Sequence, residues 1–429
     1  MADTWTTCTV KDLEDKGEVE IKTGPFGTQL KASDYVESGV PMINAGNIGF
    51  RQVRAEKLEY LSNETVQRLS SHLLRTGDIV FGRKGTVERH VLITREHDGW
   101  FQGTDCLRLR MMSPSVDNSF LSYSFLLDTH QRWMMNQSSH GATMTSLNQD
   151  IIRRILLRLP PLLLQKRIAS ILSAYDDLIE KSQRRIRILE TMARTFYREW
   201  FVHFRFPGHG NHPRVASPLG NIPKGWEVTP LSAITSKIGS GATPRGGKDS
   251  YKSAGTALIR SLNIYDYRFE FADLAYIDDQ QAEQLDNVII QQNDILLNIT
   301  GASVARCALV PSQVLPARVN QHVAIVRVDP AKASPFYVLD AINSDGRKAQ
   351  LLTLAQGGAT REALTKDTIS NFEIVLPPRP IVQRYGRIAQ GIHEQREVLT
   401  RQTQNLRQTR DLLLPRLLSG QVQFQKEAA

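Results

Sequence analysis

Residues able to do chemistry are plentiful in this 429-residue chain, but none stands in a spacing that assembles a catalytic centre. A phosphate-cradling loop needs Gly-x-x-x-x-Gly-Lys-Ser/Thr, and the nearest stretch, Gly246-Gly247-Lys248-Asp249, puts a carboxylate where the magnesium-binding hydroxyl belongs. The Gly-rich run from Ser240 to Gly247 precedes no helical pattern, which excludes a dinucleotide fingerprint. The ten histidines form neither His-Glu-x-x-His nor another paired metal spacing, and there is no Gly-x-Ser-x-Gly elbow. Cys8, Cys106 and Cys307 are too few and too scattered for a disulfide framework or a Cys-x-x-Cys metal site, which points to a reducing cytoplasm. No catalytic residue and no metal site is therefore expected, and any catalysis is expected on another polypeptide. A self-sufficient enzyme is the minor reading; it requires the isolated chain to turn over a substrate.

What remains is a set of basic and amide side chains beside turns and strand ends. In the first half these are Lys31, Asn44, Asn47, Arg83, Lys84, Arg89 and His140. In the second they are Arg245, Lys248, Arg260, Asn263, Tyr265, Arg268, Asn298, Arg306, Gln321, His322 and Arg361. Arg and Lys neutralise phosphates, and Arg, Lys, Asn and Gln match base edges in a major groove, so the set suits double-stranded DNA. Arg83-Lys84, directly after a strand and before Gly85, is the sharpest local candidate. Each position also has a plainer fate: Arg and Lys as solvated charges, Asn44, Asn47 and Asn263 as turn caps, Tyr265 as core. The 53 Lys+Arg against 44 Asp+Glu give +9, which permits a polyanionic partner without demanding one.

These residues need scaffolds, and the apolar content of 41% is enough for more than one core. The stretch from Ile151 to Leu172 is cut by Arg153, Arg154, Arg158, Pro160, Pro161, Lys166 and Arg167, short of the roughly 20 apolar residues of a membrane helix. The beginning, Met-Ala-Asp-Thr-Trp, has no secretory pattern, so a cytoplasmic protein with no membrane partner is expected.

The chain is written twice. Gly141-Ala142-Thr143, Leu147, Asp150 and Leu159-Pro160-Pro161 recur as Gly358-Ala359-Thr360, Leu364, Asp367 and Leu376-Pro377-Pro378, 217 positions later. Gly77-Asp78-Ile79-Val80-Phe81 recurs as Asn293-Asp294-Ile295-Leu296-Leu297, and Asn47-Ile48 as Asn263-Ile264, at an offset of 216. An ordered series at nearly one offset means duplication of a domain with its connector. Short apolar runs at 78–81, 107–109, 294–299 and 323–328 read as strands between Gly-rich turns. After each double proline the texture turns helical. The first helix is expected from Leu163 to Phe204, with Ile168, Leu172, Tyr175, Ile179, Ile186, Leu189, Ala193, Phe196 and Trp200 on its apolar side. In the second, Ile392, Leu399, Leu406 and Leu413 recur every seven residues, a narrow seam that needs a partner. At 1.5 Å per residue about 40 residues make a rod of roughly 60 Å.

The fold class expected is α/β, with mixed α+β recognition domains: two tandem-duplicated globular domains separated by two long antiparallel coiled-coil helices. The boundaries are 1–161 for the first domain, 162–205 for the first helix, 206–224 for a linker, 225–378 for the second domain, 379–420 for the second helix and 421–429 for a tail. This duplicated arrangement, with Gly141 to Ile151, Pro160-Pro161 and Gln165 matched by Gly358 to Thr368, Pro377-Pro378 and Gln383, resembles the specificity subunit of type I restriction–modification systems. The ending Leu413-Leu414-Pro415-Arg416-Leu417-Leu418-Ser419-Gly420 is similar to the family's C-terminal signature, and Gly24-Pro25-Phe26-Gly27 and Ser240 to Gly247 look like openings of two target-recognition domains. The resemblance implies a non-catalytic DNA reader whose domains each take one half of a bipartite asymmetric site while the helices set the spacer. It implies two methyltransferase subunits docked on the chain and two restriction/translocase subunits beyond them. S-adenosylmethionine, ATP and Mg would sit on those partners and none on this chain. The alternative is a non-catalytic protein-binding scaffold with duplicated domains.

Overall fold

A computed structural model describes residues 5–422 apart from 86, 139–145, 211, 245–246 and 358–361. It divides into one unit of 1–180 with 403–429 and another of 181–402. In the first, strand Thr6–Thr9 pairs antiparallel with Leu156–Leu159. In the second, Glu227–Pro230 pairs with Glu373–Leu376 in the same way. Each pairing brings the two ends of a domain together just before its double proline. Proline has no N–H for the ladder and its fixed φ suits a helix start, so sheet ends and helix begins there.

The central sheet of the first unit runs in the order Val19–Thr23, Cys106–Met111, Ile79–Gly82, His90–Leu92, Phe50–Arg51. That of the second runs Thr235–Ser240, Val323–Val328, Ile295–Asn298, Cys307–Leu309. The strands at 79–82 and 295–298 are buried at every position. Successive side chains leave a strand on opposite faces, and here both faces are covered. Ile79 and Phe81 enter one core and Val80 another. Ile295 and Leu297 likewise enter one core and Leu296 the other. That explains why these strands read as continuous apolar runs and not as alternation.

Each of these strands is preceded by a left-handed residue, Gly77 at φ 94° and Asn293 at φ 67°, and then a buried aspartate. Asp78 accepts the Arg75 backbone N–H at 2.8 Å and both Nε and Nη2 of Arg110 at 2.7 Å. Asp294 accepts the Gln291 N–H at 2.7 Å, and Nε and Nη2 of Arg327 at 2.8 and 2.7 Å. The Arg110 guanidinium also donates to the Leu73 carbonyl and that of Arg327 to the Ile289 carbonyl, each at 2.9 Å. The duplication thus preserved a complete buried ion pair with its hydrogen-bond partners.

The first long helix is Leu162–Tyr197 and the second Arg379–Leu418. All nine expected apolar positions of the first are buried or half-buried. Its α-helical part stops before the expected Phe204: Arg198–Val202 form a π-turn, and Phe204 is left-handed at φ 58°. The π-turn inserts an extra residue per turn, and Trp200 and Phe201 both reach the core there. The four seam residues of the second helix are each half-buried. Within the first unit, Ile168, Ala169 and Leu172 share a core with Leu414, Leu417 and Leu418, and Asp176 pairs with Arg410 at 2.7 Å. Within the second, Glu190 faces Arg396 at 4.0 Å and Tyr197 and Trp200 lie against Tyr385. The helix segments are therefore antiparallel inside each unit. Within 206–224, Arg214–Ser217 and Gly220–Pro223 form a hairpin, and Phe206 and Ile222 join the second unit's core beside Trp226.

Candidate nucleic-acid interface

Both central strands end in a cluster of three loops built alike. In the first unit the Arg83 N–H donates to the Asp105 carbonyl and the Leu147 N–H to the Arg83 carbonyl, each at 2.8 Å. In the second, the Ile299 N–H donates to the His322 carbonyl at 3.0 Å and the Leu364 N–H to the Ile299 carbonyl at 2.8 Å. Arg83 and Ile299 lie 216 positions apart, Leu147 and Leu364 217. The loops after the Gly-Ala-Thr elements at 141–143 and 358–360 are thus tied to the strand ends, although those elements themselves lie outside the described residues.

The scaffold repeats but the side chains on it differ. In the first unit Lys84 is half-exposed and pairs with Asp105 at 3.1 Å, while Arg83 is half-buried. Arg89 pairs with Glu88 at 3.1 Å and lies 5.5 Å from the Phe50 ring centre. Lys31 is exposed, and half-buried Asn44 donates through Nδ2 to Glu59 at 2.5 Å. In the second unit the guanidinium carbons of Arg268 and Arg306 stand 4.5 and 4.7 Å from the Tyr265 ring centre. A ring shared by two guanidinium groups holds them in fixed planes, and a planar fork is what bidentate recognition of a base edge requires. His322 is fixed by Thr300 Oγ1 at 2.7 Å, and Gln321 meets both His322 and Thr243. Arg260 lies 5.3 Å from the Tyr251 ring and donates to the Asp273 carbonyl. His140, Arg245, Arg361 and the side chain of Lys248 lie outside the described residues.

Three amides expected as base readers are structural instead. Asn47 is buried, accepts the Asn44 N–H at 3.0 Å and donates to the carbonyls of Arg54 and Glu56 at 2.9 and 3.2 Å. Asn263 repeats every bond, accepting from Arg260 at 3.1 Å and donating to Glu270 and Ala272 at 3.0 and 3.2 Å. Asn298 is buried and donates to the Ser261 and Ile264 carbonyls and to Ser303 Oγ. An amide whose donors are spent inside the fold has none to offer an adenine. Their recurrence marks a shared loop brace.

Sequence reasoning missed the residues that hold each domain to its helix segments. Arg51 and Tyr267, 216 positions apart, are both left-handed at φ 61°. Arg51 donates to Ser119, Ser122 and Asp176 at 3.0, 2.9 and 2.9 Å and stacks 3.4 Å from the Tyr123 ring centre. Asp176 also accepts from Arg410, so one carboxylate joins the strand Phe50–Arg51 to both helix segments. The Tyr267 carbonyl accepts from Arg396, and its side chain belongs to a buried cage around Asp340, which accepts the Tyr385 hydroxyl at 2.5 Å. Burial raises the Asp340 carboxyl to about 7, and burial likewise lowers the His90 imidazole, bonded to Ser122, to about 3. No residue type betrayed the repeated left-handed position, because Arg and Tyr stand where a glycine or asparagine would have marked it.

No group of metal-binding side chains and no helix long and apolar enough to cross a membrane occurs among the described residues. Residues 3–190 match the family model described as the type I restriction modification DNA specificity domain. The chain is 24% identical over 423 residues to the MjaIX type I restriction enzyme specificity subunit of Methanocaldococcus jannaschii, covering 97% of this chain and 94% of that one. It is 21% identical to the HindI specificity subunit of Haemophilus influenzae, over 81% of this chain and 87% of the relative. The crystal structure of the type I restriction–modification S subunit from M. genitalium superposes with a TM-score of 0.66 at 12% identity, covering 97% and 96% of the two chains, so the two share a fold. Residues 3–190 thus match the type I restriction modification DNA specificity domain, and the chain, with its duplicated α/β domains each tied to a segment of both long helices, is similar along nearly its whole length to specificity subunits of type I restriction enzymes.

Proposed function

We propose that each unit reads one half of a bipartite, asymmetric DNA site through the major groove, and that the long helices set the unread spacer between the halves. The observation that carries this is the pair of loop clusters. The same scaffold offers Arg83-Lys84 and Asp105 in one copy and Ile299-Thr300 and His322, with Arg306 nearby, in the other. An identical frame with different side chains suits two different half-sites. The Arg268–Tyr265–Arg306 stack reads base edges, while Lys31 and Lys84 meet phosphate.

The chain itself performs no catalysis and carries no cofactor in this reading, and it works in the cytoplasm. Two methyltransferase subunits dock on it and use S-adenosylmethionine, and two restriction/translocase subunits use ATP and Mg. The absence of a phosphate loop and of metal-ligand spacing in the sequence supports that division of labour. The test is to insert four residues, about one helical turn, into each long helix and to map the protected DNA sequence with the methyltransferase partner present. The half-sites stay the same and the spacer lengthens; an unchanged spacer refutes the ruler.

A further inference from the structure

Each unit carries a cleft of 690 Å³ at the root of its long helix segment. The first is bounded by Thr76-Gly77, Pro114 and Lys166, the second by Gln292-Asn293, Pro330 and Gln383. These residues correspond at offsets of 216 or 217, so the duplication copied the cleft along with the fold. The DNA-facing loops diverged between the copies while this concavity kept its size and the bounding positions just named. A surface kept twice suits an occupant present twice.

Its position and chemistry say what kind. The cleft lies where the central strand begins, at Gly77 or Asn293, whereas Arg83-Lys84 and Ile299-Thr300 follow the strand's end. At 3.3 Å per residue, Gly77 to Lys84 spans about 20 Å, which separates the cleft from the reading loops. The floor is apolar, with Met111, Val116 and Leu162 in the first cleft and Val328, Phe336 and Val382 in the second. Arg95 and Lys166 line the first and Arg379 and Arg387 the second, exposed and with no ion-pair partner among the described residues. The carboxylates there are occupied: Asp117 accepts the Phe120 N–H and Asp294 holds Arg327. Positive charge around an apolar floor matches a protein segment that carries carboxylates beside apolar side chains. A DNA backbone would leave the floor unfilled.

We propose that the two clefts are duplicate docking sites for one acidic segment with apolar anchors, carried by each of two copies of a partner chain. That partner is the methyltransferase subunit of the functional reading above, on which this assignment rests.

To test it, the full-length chain is co-expressed with its cognate methyltransferase subunit and the assembly is weighed by native mass spectrometry. Three variants are compared: Arg95→Glu with Lys166→Glu, Arg379→Glu with Arg387→Glu, and all four together. The wild type takes two methyltransferase chains, each double variant holds one with at least tenfold weaker binding of the second, and the fourfold variant holds none. Each double variant keeps an unaltered cleft as its internal control, and the corresponding Gln variants replace any that lose their fold. Two chains bound with unchanged affinity by every variant overturn the docking sites. Unchanged assembly with weakened, less salt-dependent DNA binding overturns them in favour of phosphate contacts. A wild-type chain that takes no methyltransferase overturns the functional reading, and the docking sites with it.

Discussion

Asp78→Asn removes one charge from the most enclosed ion pair of the first unit while keeping the side chain's shape. The wild-type carboxylate is 1% exposed and accepts three hydrogen bonds, two of them from the Arg110 guanidinium. The amide keeps one acceptor and turns an NH2 group toward N–H donors, leaving a guanidinium that is only 12% exposed without its counter-charge. Breaking one side of a buried pair costs about 3–5 kcal/mol, and an isosteric amide belongs at the lower end, about 3 kcal/mol. Arg110→Met alone strands the carboxylate at a similar cost. The Asp78→Leu, Arg110→Met double variant removes both charges and leaves mainly the Arg75 N–H and the Leu73 carbonyl unpaired, about 1–3 kcal/mol. The double variant is therefore less damaged than the sum of the singles. Urea unfolding gives the totals, and peptide-resolved hydrogen exchange assigns the loss to 5–180 with protection in 181–402 preserved. In DNA binding, discrimination falls at one half-site only, and Asp294→Asn produces the mirror result at the other. A cost below 1 kcal/mol, or equal loss of protection in both units, refutes the reasoning.

Three further outcomes follow from the geometry. Arg306→Ala, or Tyr265→Ala beneath it, relaxes base discrimination at one half-site by about 1–3 kcal/mol in competition binding; uniform weakening across all sequences assigns Arg306 to phosphate instead. Asp340→Asn changes the pH dependence of the second unit. The folded carboxyl is raised to about 7, so the native state holds a proton that the unfolded state releases near pH 4. Stability is therefore present at low pH and is lost as pH rises to 7, by up to about 4 kcal/mol. Thermal unfolding from pH 4 to 7 should be flatter in the variant, and an equal slope excludes Asp340 as the cause. Gly24→Ala and Gly241→Ala place a Cβ 1.9 Å from the Gly103 carbonyl oxygen and 1.7 Å from that of Val319, respectively. Backbone must move in both, at a cost of about 1–3 kcal/mol or more, read as a lower midpoint in denaturant; unchanged midpoints contradict the close approach.

The sequence by itself determined the duplication, the two helices and where they begin. Those features are local or periodic: double prolines end strands, apolar spacing marks a buried helix face, and an offset of 216 or 217 survives divergence. It also marked the strand end where Arg83-Lys84 sits, because a basic pair after an apolar run is visible in one dimension. Tertiary structure decided which polar residues face outward. Asn47 and Asn44 are three residues apart and of one type, yet only Asn47 has its donors consumed by carbonyls seven and nine residues away. It likewise decided that Asp78 and Arg110, 32 residues apart, form one buried unit, and that Arg51 reaches Asp176 across 125 residues. Hydrogen-bond satisfaction in a closed interior depends on which strands pair and where a left-handed residue turns the chain, and no spacing along the sequence carries that information.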